Sequence, residues 1–206
     1  MQSPDLLPKT CAVRNATIIL PAELWLIVLE QTSSINSQHL WTVVRFVSRD
    51  FKNLAERIYV STHLPRLAIS LALPRRDPTT SALVWPGFIP HARLILCFDK
   101  LASNPEDAIF TSPETLGKGQ DLQSLEDLKL SNVLPKKRLQ EAAAWVSVNG
   151  VQGQGASMML SRDIAWDEER KLWTWELDWK RLVSQFFALK ERKYGNTRPR
   201  RLFNRR

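Results

Sequence analysis

The chain has 206 residues, a formal charge of +8, 44% apolar residues and 24% charged ones. That length holds one medium domain or a small module joined to a larger one, and the apolar share is that of a globular protein with a sizeable core. Two cysteines, Cys11 and Cys97, with no CxxC pair and no neighbouring histidine, indicate neither a zinc site nor a disulfide framework, and no cofactor is expected.

The start, Met1 to Asp5, lacks the basic residues and apolar run of a signal peptide. The run from Ile18 to Leu29 is the most apolar in the chain, but it contains Pro21 and Glu23 and is too short to span a bilayer. A soluble intracellular protein, cytoplasmic or nuclear, with no membrane partner is the expectation.

The first helix enters through Leu20-Pro21. Proline suits a helix start because its φ is already helical and its missing N–H would have no intrahelical partner. Glu23 follows in the first turn, where the helix dipole favours a carboxylate. Leu24, Ile27 and Val28 share one face, while Trp25, Leu26 and Leu29 cover the rest. A helix apolar all round needs cover on more than one side. With little chain ahead of it, part of that cover is expected from another protein. Leu40, Val43, Val44, Val47, Phe51, Leu54, Ala55 and Ile58 then recur at helical spacing, with Ser48 able to interrupt the run and cap a third helix.

These residues resemble the F-box family. Leu20-Pro21-Ala22-Glu23-Leu24 matches its Leu-Pro-x-Glu-Leu opening, Val28-Leu29 its Ile-Leu/Phe step, and Leu40 its loop-closing Leu. Val47-Ser48-Arg49-Asp50-Phe51 matches its Val-Cys-x-x-Trp signature, with Ser for Cys and Phe for Trp, and the flavour is most similar to fungal members. Thr32 stands where a Leu usually closes the first helix, and the polar loop from there to Leu40 is longer than the family's.

The resemblance covers about a fifth of the chain. It implies a trihelical module over 18–60 that docks a Skp-type adaptor, and through it a cullin. The contacts would come from Leu20, Pro21, Leu24, Trp25, Val28, Leu29, Leu40, Val47 and Phe51. Ubiquitin transfer would belong to other subunits, and residues 61–190 would recruit a protein target.

Beyond the helices the period becomes alternating. Leu67, Ile69, Leu71 and Leu73 read as a strand, followed by a connection punctuated by Pro74, Pro78, Pro86 and Pro90. Arg93 to Asp99 is apolar on both faces and reads as a central strand buried on both. Residues 102–135 carry Asn104-Pro105, Ser112-Pro113 and Gly117-Lys118-Gly119 and read as loop-rich, with Leu122, Leu125, Leu128 and Leu130 in a short helix or strand. That leucine spacing has no second copy, so it is no solenoid.

Ala143 to Val151 reads as another strand, with Gly150, Gly153 and Gly155 marking a turn. Met158 to Trp166 and Leu172 to Trp179 flank the charged loop Asp167-Glu168-Glu169-Arg170 and form a hairpin. In its second arm Trp173, Trp175, Leu177 and Trp179 alternate with polar residues; the tryptophans either pack beneath a layer of the fold or line an open groove, and aromatic stripes at strand spacing favour core packing. Asp178 is placed to cap a last helix whose inner face is Trp179, Leu182, Val183, Phe186 and Phe187, with Gly195 as its stop. The predicted class is α+β: N-terminal helices, a mainly antiparallel sheet and a closing C-terminal helix.

Catalytic patterns do not emerge. His39, His63 and His91 stand in no triad or metal spacing, and there is no GxSxG, P-loop or HExxH. A non-catalytic adaptor is therefore expected. From Lys190 onward, eight basic residues against Glu191 carry +7 of the net charge, including Arg198, Arg200, Arg201, Arg205 and Arg206. Such a tail suits phosphate contacts, a nuclear import signal, or nothing beyond solvation. Gly195, Asn196 and Pro199 favour a disordered solvated tail over 191–206. The competing functions are a nucleic-acid-associated protein using that tail, which the near-neutral body argues against, and an F-box-like interaction module outside any ligase.

Overall fold

The computed structural model describes residues 20–73, 75–76, 83–84, 93–117, 122–148, 150, 155–160 and 163–195. Helix α1 (Ala22–Ile35) starts on Pro21, whose carbonyl accepts from the N–H groups of Leu24 and Trp25. It does not close at Thr32. The Thr32 hydroxyl donates to the Val28 carbonyl at 2.9 Å and the Ser33 hydroxyl to that of Glu30 at 2.8 Å. Polar side chains that bond back to their own helix do not compete for the following backbone. The expected polar loop to Leu40 is thus mostly helix. Only Asn36 separates α1 from α2 (Ser37–Thr42), which it caps by accepting from the His39 N–H, so His39 is helical too.

The run from Leu40 to Ile58 is broken where expected, though in two steps. After Val43, a 3-10 turn (Val44–Phe46) precedes α3 (Arg49–Ile58), capped by the Ser48 hydroxyl accepting from the Phe51 N–H. A π-helical turn (Tyr59–His63) and a 3-10 turn (Leu64–Arg66) lead into the sheet.

Strand β1 (Ala68–Ala72) is followed by a short hairpin of β2 (Arg75–Arg76) and β3 (Leu83–Val84). Next come β4 (Arg93–Leu101), β5 (Asp107–Thr111), the short pair β6 (Thr115–Leu116) and β7 (Gln123–Ser124), α4 (Leu125–Leu130) and α5 (Lys136–Glu141). The chain continues through β8 (Ala143–Ser147), β9 (Gly155–Met158), β10 (Ile164–Asp167), β11 (Leu172–Asp178) and α6 (Trp179–Gly195). Seven strands form one antiparallel sheet in the order β10-β11-β5-β4-β1-β8-β9.

Several expectations are corrected here. Within residues 102–135, expected to be loop-rich, β5 lies inside the sheet between β4 and β11, with Ala108 and Phe110 fully buried. The leucines around 125 form α4, the helical option. Strand β4 is central but not buried on both faces: Leu94 and Leu96 point into the core while Arg93 and Cys97 are exposed. Strand β8 stops at Ser147, and Gly155 opens β9 instead of marking a turn. Of the expected first arm, Met158 to Trp166, Met158 ends β9 and Ile164 to Trp166 belong to β10. The hairpin itself, β10 with β11, has the expected charged loop. Asp167 Oδ1 accepts from the N–H groups of Glu169 and Arg170, and Lys171 takes φ 56° to return the chain.

The sheet has to roll. Its two edges, β9 and β10, are joined by residues 159–163 alone, and six extended residue steps reach about 22 Å. Seven flat strands would put those edges about 29 Å apart. One face of the roll carries Ile164, Trp175, Phe110, Leu96, Ile69, Val146 and Met158, and α6 lays Trp179, Leu182, Val183, Phe186 and Phe187 into it, all buried. Asp178 Oδ1 caps α6 by accepting from the Arg181 N–H at 2.8 Å. Gly195 ends α6, so 191–195 belong to the helix and not to the tail.

The N-terminal helices join the same core. Leu40, Trp41, Ala55, Ile58 and Tyr59 are buried in the cluster that holds α6. The Trp41 indole N–H donates to Ser184 Oγ at 3.0 Å, and its ring lies 5.5 Å from that of Trp179. The Tyr59 hydroxyl donates to the Ser37 carbonyl at 2.6 Å, closing α3 against α2.

Candidate functional site

Helix α1 has two apolar faces, and the fold covers one. Leu29 and Ser33 are buried, and Trp25 is half-buried with its ring edge-to-face on Phe51 of α3, centroids 5.0 Å apart. On the opposite side Leu24, Ile27 and Val28, spaced i, i+3, i+4, are exposed at 46%, 55% and 48%. Leu20 and Pro21 are exposed just ahead of them. Val43, Phe46 and Val47 add further open apolar area beyond α2, with Phe46 74% exposed.

The residues expected at an adaptor interface therefore divide. Leu20, Pro21, Leu24, Val28 and Val47 reach solvent, and Trp25 and Phe51 form the seam between α1 and α3. Leu29 and Leu40 are enclosed in the chain's own core. Ile27, Val43 and Phe46 are exposed apolar residues outside the expected set. Ile27 is legible from its spacing with Leu24 and Val28. Val43 and Phe46 are not, because a continuous helix would have turned Val43 inward. At Val43 the backbone (φ −123°, ψ −62°) leaves the helix, and the tighter 3-10 turn swings Val43 and Val47 outward.

A charged network braces this region against the rest of the molecule. Glu56 of α3 accepts from Arg45 at 3.0 Å and pairs with Lys180 of α6 at 2.9 Å, and Lys180 also reaches Glu106 at 3.3 Å. The Arg45 guanidinium lies 4.1 Å above the Trp41 ring. Partial burial pulls the Lys180 ammonium down, but its bonds to Glu56 and Glu106 outweigh that and hold it above its ordinary value. The network thus ties the 3-10 turn and α3, on which α1 packs, to α6 and the turn between β4 and β5.

Elsewhere, no group of three or more His, Cys, Asp or Glu among the described residues is placed to hold a metal ion, and no described helix is long and apolar enough to cross a membrane. The basic residues Arg198, Arg200, Arg201, Arg205 and Arg206, like His91 and Gly153, lie outside the described residues. No model of a known family, no curated protein and no solved structure matches the chain.

Proposed function

We propose that the N-terminal helices dock a Skp-type adaptor, and through it a cullin, making the chain a substrate receptor of a ubiquitin ligase whose chemistry lies in other subunits. The rolled sheet would recruit a protein target. One observation carries the reading: the solvent-facing stripe of Leu24, Ile27 and Val28, on the segment where the F-box resemblance assigns adaptor contacts. Exposed apolar stripes on a rigid helix are what partner surfaces are made of. The exposed Ile27, Val43 and Phe46 join the contact set, and the enclosed Leu29 and Leu40 leave it.

The test replaces the stripe without disturbing the helix. Leu24→Glu with Val28→Lys removes two exposed apolar side chains and introduces a Glu-to-Lys pair at i, i+4, which supports a helix. With each lost anchor costing about 2 kcal/mol, adaptor affinity should fall at least about a hundredfold in titration calorimetry, with an unchanged melting temperature. Full affinity in the folded double variant would remove this surface from consideration. Cullin in the purified adaptor complex would separate a ligase receptor from an interaction module outside any ligase.

A further inference from the structure

The open stripe on α1 belongs to a chain that carries a complementary segment of its own. Glu23 and Glu30 stand four residues before Ile27 and three after it, so they share its side of the helix, and both are exposed. Neither forms a salt bridge among the described residues, and α1 contains no lysine or arginine. Leu24, Ile27 and Val28 are thus an apolar face edged by carboxylates. Its complement is an apolar group edged by cations.

The segment after α6 has that composition. Residues 196–206 hold five arginines and no acid. Their two large apolar residues, Leu202 and Phe203, sit between Arg200-Arg201 and Arg205-Arg206. The end of α6 is held near the end of α1. Gln38, two residues past the Asn36 that follows α1, donates from Nε2 to Glu191 Oε1 at 3.2 Å. From Gly195, seven extended steps carry Leu202 up to about 24 Å. Ile27 lies eight residues before the last residue of α1, about 12 Å along its axis, on a helix about 10 Å across. A segment joined to the same chain meets that face at an effective concentration of about 1 mM, so the contact needs little intrinsic affinity.

We infer that Leu202 and Phe203 of the chain's own C-terminal segment dock on the Leu24, Ile27 and Val28 face, with the flanking arginines against Glu23 and Glu30. The inference concerns the face assigned above to the adaptor but does not depend on that assignment. On the adaptor reading the segment becomes the adaptor's competitor, a consequence that rests on that reading alone.

The test places a nitroxide on the full chain at Asn204→Cys, with Cys11→Ser and Cys97→Ser removing the native thiols. The methyl signals of Leu24, Ile27 and Val28 should broaden, and those of Leu130 and Val133, exposed at the far end of α4, should stay sharp. Leu202→Asp with Phe203→Asp should abolish the broadening. Glu23→Arg with Glu30→Arg should weaken it severalfold, and adding Arg201→Glu with Arg205→Glu should restore it, which general damage to α1 would not allow. Equal broadening at Leu130 would overturn the inference, as would broadening that survives Leu202→Asp/Phe203→Asp in the folded chain. A nitroxide at Thr10→Cys that broadens the α1 methyls when one at Asn204→Cys does not would give the face to residues 1–19 instead. Broadening of an isotope-labelled chain by a separate nitroxide-bearing chain would give it to a second copy, and either result would overturn the inference.

Discussion

His63 shows how one buried side chain sets a pH response. It lies at the end of the π-helical turn, 5% exposed, its ring 4.6 Å from that of Tyr59 and neither ring nitrogen hydrogen-bonded. Burial, with the nearby Arg66 charge adding to it, lowers its pKa from the ordinary 6.5. The unfolded chain takes up the proton near that ordinary value and the folded chain resists it. Stability is therefore whole above pH 6.5 and is lost as pH falls from there towards the lowered folded value. His63→Phe keeps the ring contact and removes the titration. Its melting temperature should fall less than the wild type's between pH 7.5 and 5, and equal slopes for the two proteins would refute the role. Carboxylates common to both cancel in that comparison. The sequence shows only that His63 stands in no triad or metal spacing; its burial depends on the π-helical turn, which has no local signature.

At the scale of elements, what could be read depended on how strong the local signal was. β11 and α6 were legible because their inner residues recur at periods of 2 and 3.6 over long runs and all are buried. β5 was not legible. Five residues, Asp107–Thr111, give too few alternations to register between the breakers Asn104-Pro105 and Ser112-Pro113, yet the strand is held by β4 on one side and β11 on the other. The Glu56–Lys180 pair belongs to this scale too, since it joins α3 to α6 with side-chain exposures of 15% and 22%. A double-mutant cycle of Glu56→Gln and Lys180→Met should return a coupling of about 1 kcal/mol, at the top of the range that exposed pairs give. Additive single effects in urea unfolding would show that the two helices are joined by packing alone.

Over the whole molecule, the helices and the sheet behave as one packed body. Removing residues 1–60 would take Leu40, Trp41, Ala55, Ile58 and Tyr59 out of the core and leave the Trp179 side of α6 open. Each large buried side chain lost costs about 2–5 kcal/mol, and a domain this size has about 5–15 kcal/mol in all. The truncated chain should be unfolded by circular dichroism, while Leu24→Glu/Val28→Lys should melt like the wild type. A cooperatively folded truncation would mean that the sheet and α6 form a self-sufficient unit. Adaptor binding is accordingly better tested by changing the exposed stripe than by deleting the helices.

The sequence by itself determined the α+β class, the capped N-terminal helices, the tryptophan-bearing strand and the amphipathic last helix. Each of these rests on a local pattern of side chains, and local patterns are written along the chain. It also marked α1 as a helix with one apolar face too many. Only the tertiary structure decided which face that was, because Leu24 and Leu29 are alike until α2 and α3, with Phe51 of α3 on Trp25, are packed against one side. The roll of the sheet was decided there as well. It rests on a strand order in which segments far apart in the chain, β5 with β11 and β1 with β8, become neighbours.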